Sequence, residues 1–130
     1  MNDASAGESR HILYVDDDPA LVFLIRRLLQ RRGYAVTALT DQQAAIDAVR
    51  NRPESFHLLI TDYKMPGLSG LEVASRVREF NPRLPVALAS GFVDDELQAL
   101  AAAAGVTEVV MKSDAIQEFC DVVDRLMTPR

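Results

Sequence analysis

Four places in this 130-residue chain carry side chains that could do chemistry together. The apolar run His11-Ile12-Leu13-Tyr14-Val15 stops against Asp16, Asp17 and Asp18. Later apolar runs lead into Asp62, into Ser90-Gly91 and into Lys112. Adjacent carboxylates repel: at ~4 Å and a surface-like dielectric, each like pair costs up to about 4 kcal/mol before screening and relaxation. Three in a row therefore face open water or have positive charge among them. Two or three carboxylates are hard oxygen ligands that suit Mg2+, which prefers octahedral oxygen and keeps several waters. A lysine is a point-charge partner for a phosphoryl group, and a serine offers a hydroxyl donor. Together these residue types point to phosphoryl chemistry in an acidic, metal-dependent pocket, with an aspartate as nucleophile.

Other chemistries lack their residues. There is no Cys/His cluster for zinc, since His11 and His57 fall at strand starts on the opposite edge. Phosphate-binding G-x-x-x-x-G-K-[ST] and G-x-G-x-x-G loops and a G-x-S-x-G elbow are all missing. A net charge of −5 argues against direct binding of nucleic acid or an anionic membrane. No apolar stretch approaches the roughly 18 residues of a membrane span, and the opening MNDASAGESR lacks the apolar centre of a signal peptide. The single cysteine, Cys120, has no partner for an internal disulfide, which fits a reducing, cytoplasmic setting.

The elements that must position these groups follow from hydrophobic periodicity. Candidate strands are 11–15, 35–39, 57–61, 85–89 and 106–111, and the first, third and fourth are apolar almost throughout, as for parallel strands covered on both faces. Between them lie helix patterns with caps. Asp18-Pro19 reads as N-cap and first helical residue, and Gly33 as the stop. Thr40-x-x-Gln43 and Ser69-x-x-Glu72 read as capping boxes. Asp94 caps a helix over 95–104, the Ala101–Ala104 run being helix propensity with close packing. A last helix over 114–127 carries the core stripe Ile116, Phe119, Cys120, Val123 and Leu126. In the first helix the predicted stripe is Leu21, Leu24, Ile25 and Leu28. That leaves Val22 and Phe23 as surplus apolar residues, either tucked against neighbouring structure or part of a partner-docking face.

Strands alternating with helices of this length predict an α/β fold: a flavodoxin-like, doubly wound (βα)5 domain with a five-stranded parallel sheet in order 2-1-3-4-5. Strands one and three then flank the point where strand order reverses. Asp16, Asp17 and Asp62 cluster there, and Ser90 and Lys112 approach from the other side. Residues 1–9 are expected to be a flexible tail and 10–130 one domain.

The segments ILYVDDDP, LLITDYKMPGLSG, LPVALASGF and VVMKS, in that order and spacing, resemble the receiver domain of bacterial two-component response regulators. The resemblance covers about residues 11–127. It implies that Asp62 accepts a phosphoryl group from phosphohistidine on a sensor histidine kinase or histidine phosphotransfer protein. Asp17, Asp62 and the backbone carbonyl of Lys64 would ligate Mg2+, with Asp16 acting mainly through water. Ser90 and Lys112 would serve phosphoryl oxygens. Pro66 and Gly67 would shape the loop after the acceptor, and Gly70 would open the next helix. It further implies a receiver with no output domain, catalysing only its own phosphorylation and dephosphorylation.

The chain departs from that pattern in places. Val109 stands where receivers usually carry a switch aromatic, and Lys112 is followed by Ser113 rather than proline. A non-proline cis bond costs about 2.5–4 kcal/mol, so the Lys112–Ser113 bond is expected to be trans. ALASGF resembles receivers of hybrid histidine kinases and some stand-alone receivers lacking the aromatic. Two other readings compete. One is a pseudo-receiver that binds partners without phosphorylation. The other is an aspartate-nucleophile phosphatase of the haloacid dehalogenase kind, whose D-x-D motif Asp16-x-Asp18 imitates, although Ala20 stands where that motif has Thr or Val.

Overall fold

A computed structural model describes residues 10–112 and 116–128. Five strands, β1 (His11–Val15), β2 (Ala35–Leu39), β3 (Leu58–Asp62), β4 (Val86–Ser90) and β5 (Glu108–Met111), alternate with five helices. These are α1 (Pro19–Arg31), α2 (Gln42–Asn51), α3 (Gly70–Phe80), α4 (Asp95–Ala103) and α5 (Ile116–Met127). The strands pair in parallel in the order β2-β1-β3-β4-β5, the flavodoxin-like arrangement predicted.

Alternation along the central strands divides the core between two faces. Ile12, Tyr14, Leu58, Ile60, Ala87 and Ala89 pack against α1 and α5. Leu13, Val15, Leu59 and Val86 pack against α2 and α3. Leu88 meets Leu97 and Ala101 of α4, with Val109 packed partly buried alongside. Cys120 lies in the α5 core stripe, 1% exposed, as its spacing predicted. No helix among the described residues is long and apolar enough to cross a membrane.

The structure moves several predicted boundaries, each for a local reason. β3 and β4 run one residue later than expected, to Asp62 and Ser90, because the ladder continues: Tyr63 N donates to Ala89 O (2.8 Å) and Lys112 N to Ser90 O (2.7 Å). β5 starts at Glu108 because the Val106 amide closes the end of α4 by donating to Ala101 O (2.9 Å). The N-cap of α2 is Asp41, whose carboxylate accepts from Ala44 N, rather than Thr40. Gln43 instead bonds Asp47 one turn on (3.0 Å). The Ser69–Glu72 capping box forms as predicted, and Gly33 ends α1 in the left-handed region (φ +96°).

On α1 the buried residues are Val22, Ile25 and Leu29. Val22 thus belongs to the core and Leu24 is exposed, a correction to the predicted stripe; Phe23 is 54% exposed. The Lys112–Ser113 bond and the predicted first two residues of the last helix lie outside the described residues.

Candidate functional site

Parallel pairing of β1 and β3, with β2 and β4 outside them, brings Asp16, Asp17 and Asp62 to one end of the sheet. One carboxylate oxygen from each lies within 4.8 Å of the others. Asp16 is 1% exposed and Asp62 7%, while Asp17 is open to solvent. Lys112, just past β5, reaches back over the sheet. Its Nζ donates to Asp16 Oδ2 at 2.9 Å and to Asp62 Oδ1 at 3.1 Å. A positive group does stand among the aspartates.

Electrostatics follow from this crowding. Burial, and next the charge of Asp16, push the Asp62 carboxyl above the ordinary carboxylate value, while the Lys112 ammonium opposes the shift. Burial works against the Lys112 charge, but the hydrogen bonds and charges of Asp16 and Asp62 outweigh it and raise its pKa. A crowded carboxylate cluster with one ammonium among the described residues has room for further positive charge, and an all-oxygen donor set fits a hard divalent cation.

Asp18 is spent otherwise. Its Oδ1 accepts from Ala20 N (3.0 Å) and Leu21 N (3.3 Å), so it caps α1, as predicted, and is not among the grouped carboxylates. The D-x-D reading thus loses its second aspartate to a helix end.

Ser90 is 6% exposed at the end of β4, beside the cavity that also meets Asp62. Its hydroxyl donates to Phe92 O (2.7 Å) and accepts from Phe92 N (3.3 Å), so it faces its own loop rather than the carboxylates. The cavity, about 410 Å3, is also lined by Tyr63, Lys64 and Phe92. The Lys64 side chain is exposed, two residues beyond Asp62.

Two residues escaped the sequence reading. Tyr14 shares a strand face with Asp16, and its phenol donates to Asp16 Oδ2 at 2.9 Å. Its signal was present, an aromatic hydroxyl two residues before a site aspartate, but in an apolar run it reads as core. Gln42, first residue of α2, donates from Nε2 to Pro66 O (2.5 Å) and Leu68 O (3.1 Å), clamping the loop after Asp62. No local signal announces that contact. Gly70 explains itself: a Cβ there would stand 2.2 Å from the Asp62 carbonyl oxygen and 2.7 Å from Leu88. α3 can begin this close to the end of β3 only with glycine.

A flavodoxin-like sheet with three carboxylates and a lysine at its switch point defines an acidic class of α/β domain suited to phosphoryl groups. Residues 12–124 match the response regulator receiver domain family, and the chain belongs to it. It is 35% identical over 115 residues to the probable transcriptional regulatory protein TcrX of Mycobacterium tuberculosis, covering 86% of this chain and 47% of that protein. It is 32% identical over 102 residues to the transcriptional regulatory protein FixJ of Bradyrhizobium diazoefficiens, covering 78% and 49%. The chain thus spans about half the length of these two relatives, and only 15% of the putative response regulator ARR21 of Arabidopsis thaliana. Among solved structures, a CheY-like receiver domain protein from Methanospirillum hungatei shares the fold at a TM-score of 0.83 and 23% identity, covering 92% of this chain and 94% of its own. Receivers of this family are in general phosphorylated on aspartate and are not turnover enzymes, and response regulators receive their phosphoryl groups from histidine kinases.

Proposed function

We propose that this chain is a phosphoacceptor in a Mg2+-dependent two-component phosphorelay, with Asp62 as the acceptor. The observation that carries the reading is the lysine bridge: Lys112 Nζ contacts Asp16 and Asp62 together where strand order reverses. An oxygen of Asp62 attacks the phosphorus of a phosphohistidine on a sensor histidine kinase or histidine phosphotransfer protein. The P–N bond breaks with its electrons going to the imidazole, and an acyl phosphate forms on Asp62. Lys112 neutralises one phosphoryl oxygen. Ser90 exchanges its bond to Phe92 O for another. Catalysis is then positioning and charge stabilisation by fixed groups.

Asp16, Asp17, Asp62 and the Lys64 carbonyl would hold Mg2+, which supplies charge neutralisation at the transferring group. Residues 10–130 act as one receiver domain in the cytoplasm, without touching nucleic acid or membrane themselves. Intact-mass analysis after incubation with acetyl phosphate and Mg2+ tests the reading. One phosphoryl adduct is expected on the wild type and none on Asp62→Asn. No adduct on the wild type from either acetyl phosphate or a cognate kinase would establish a phosphorylation-independent binding module instead. Sustained turnover of p-nitrophenyl phosphate would establish a phosphatase.

A further inference from the structure

The Tyr14 hydroxyl is the one part of that side chain that core packing does not explain. Its ring fills the core beneath α1 with Ile12, Val22 and Ile25, a task that phenylalanine or an aliphatic residue could share. The residue is 1% exposed, and burying a hydroxyl is unfavourable unless it finds a partner. It finds Asp16 Oδ2, 2.9 Å away, itself on a side chain 1% exposed.

Among the described residues, Asp16 receives three donors. Oδ1 accepts from Asp18 N (3.0 Å), and Oδ2 accepts from Lys112 Nζ and from the Tyr14 phenol, each at 2.9 Å. These donors differ in what else they do. The Asp18 amide opens the turn into α1. Lys112 sits on a long flexible stem and is shared with Asp62. Tyr14 sits on β1, an inner strand between β2 and β3, its ring fixed by packing, and its hydroxyl contacts Asp16 alone among the site groups.

We propose that Tyr14 is a positioning residue of this site, whose buried phenol holds the Asp16 carboxylate in the orientation that a divalent cation requires. The proposal rests on the Mg2+-dependent reading above. When Lys112 turns toward a phosphoryl oxygen on Asp62, Tyr14 remains the side-chain donor on Asp16 Oδ2 and keeps the carboxylate from swinging. Hydrogen-bond partners behind metal-binding carboxylates contribute to affinity in this way.

The test compares wild type, Tyr14→Phe and Tyr14→Val by calorimetric titration with MgCl2 and no phosphodonor, and by thermal melting in EDTA. Loss of the hydroxyl is expected to weaken Mg2+ binding about tenfold in both variants, while only the valine variant, which also loses the ring, melts markedly lower. With acetyl phosphate, the Mg2+ concentration for half-maximal phosphorylation rises by the same factor in Tyr14→Phe, and the rate at saturating Mg2+ stays at the wild-type value. Wild-type affinity in Tyr14→Phe overturns the positioning role. Failure of the wild type itself to bind Mg2+ overturns the metal reading and this proposal with it, a result plainly distinct from the first.

Discussion

Lys112 Nζ lies 3.1 Å from Asp62 Oδ1, one ammonium bridging from the last strand to the third across β4. The same nitrogen holds Asp16, so its removal leaves two buried carboxylates facing each other without a cation. Lys112→Met is expected to lower stability by about 3 kcal/mol, at the low end for a buried pair because the lysine is partly exposed. Urea denaturation in EDTA measures this. Phosphorylation by acetyl phosphate should slow about 100-fold, the loss typical of one fixed charge-stabilising donor.

Asp62 makes the opposite contribution at neutral pH. Burial and Asp16 hold its folded-state pKa above the unfolded value, so the folded chain binds the proton more tightly. Its stabilising contribution is complete below the unfolded pKa and lost as pH rises through the folded one. Asp62→Asn should therefore melt higher than wild type at neutral pH in EDTA. The gap should close as pH falls through the carboxylate range, and a gap independent of pH would contradict this origin.

Gly70→Ala tests how tightly α3 is set against β3. The added Cβ meets the Asp62 carbonyl at 2.2 Å, and backbone on both sides must move. Overpacking of this kind costs about 1–3 kcal/mol. Because the strained neighbour is Asp62 itself, the phosphorylation rate should fall together with the melting temperature.

Much of this architecture was legible in the residues, and what was not has physical reasons. Runs such as Leu58–Ile60 announce a strand covered on both faces, and five candidate strands with intervening helices leave few topologies. Asp16, Asp17, Asp62 and Lys112 could be placed at one end of the sheet because strand ends converge there. Ladder hydrogen bonds fixed where those strands end, and they depend on neighbours distant in sequence, so Asp62 and Ser90 were placed one residue outside their strands. The α1 stripe is ambiguous in the sequence because Leu21, Val22, Phe23, Leu24 and Ile25 form a continuous apolar run, in which several helical faces look equally apolar. Which face is buried depended on α5 packing beside α1.

Phe23 is left outward on that helix, with the Arg26 and Arg27 guanidinium carbons 5.9 and 5.5 Å from its ring centroid. If a histidine-bearing partner docks on α1, Phe23→Ala should slow transfer from that partner about tenfold, equivalent to ~1.4 kcal/mol. Phosphorylation by acetyl phosphate should be unchanged. Equal loss with both donors would place the effect in the fold rather than in docking.

The Gln42 clamp limits how the chain can vary in length. Both of its bonds run from the first residue of α2 to carbonyls on the far side of Asp62. One residue added within the first turn of α2 would rotate that side chain by about 100° around the helix and release both carbonyls. The first turn of α2 is therefore of fixed length. A homologous chain with a longer or shorter turn there must hold the loop after β3 by some other means.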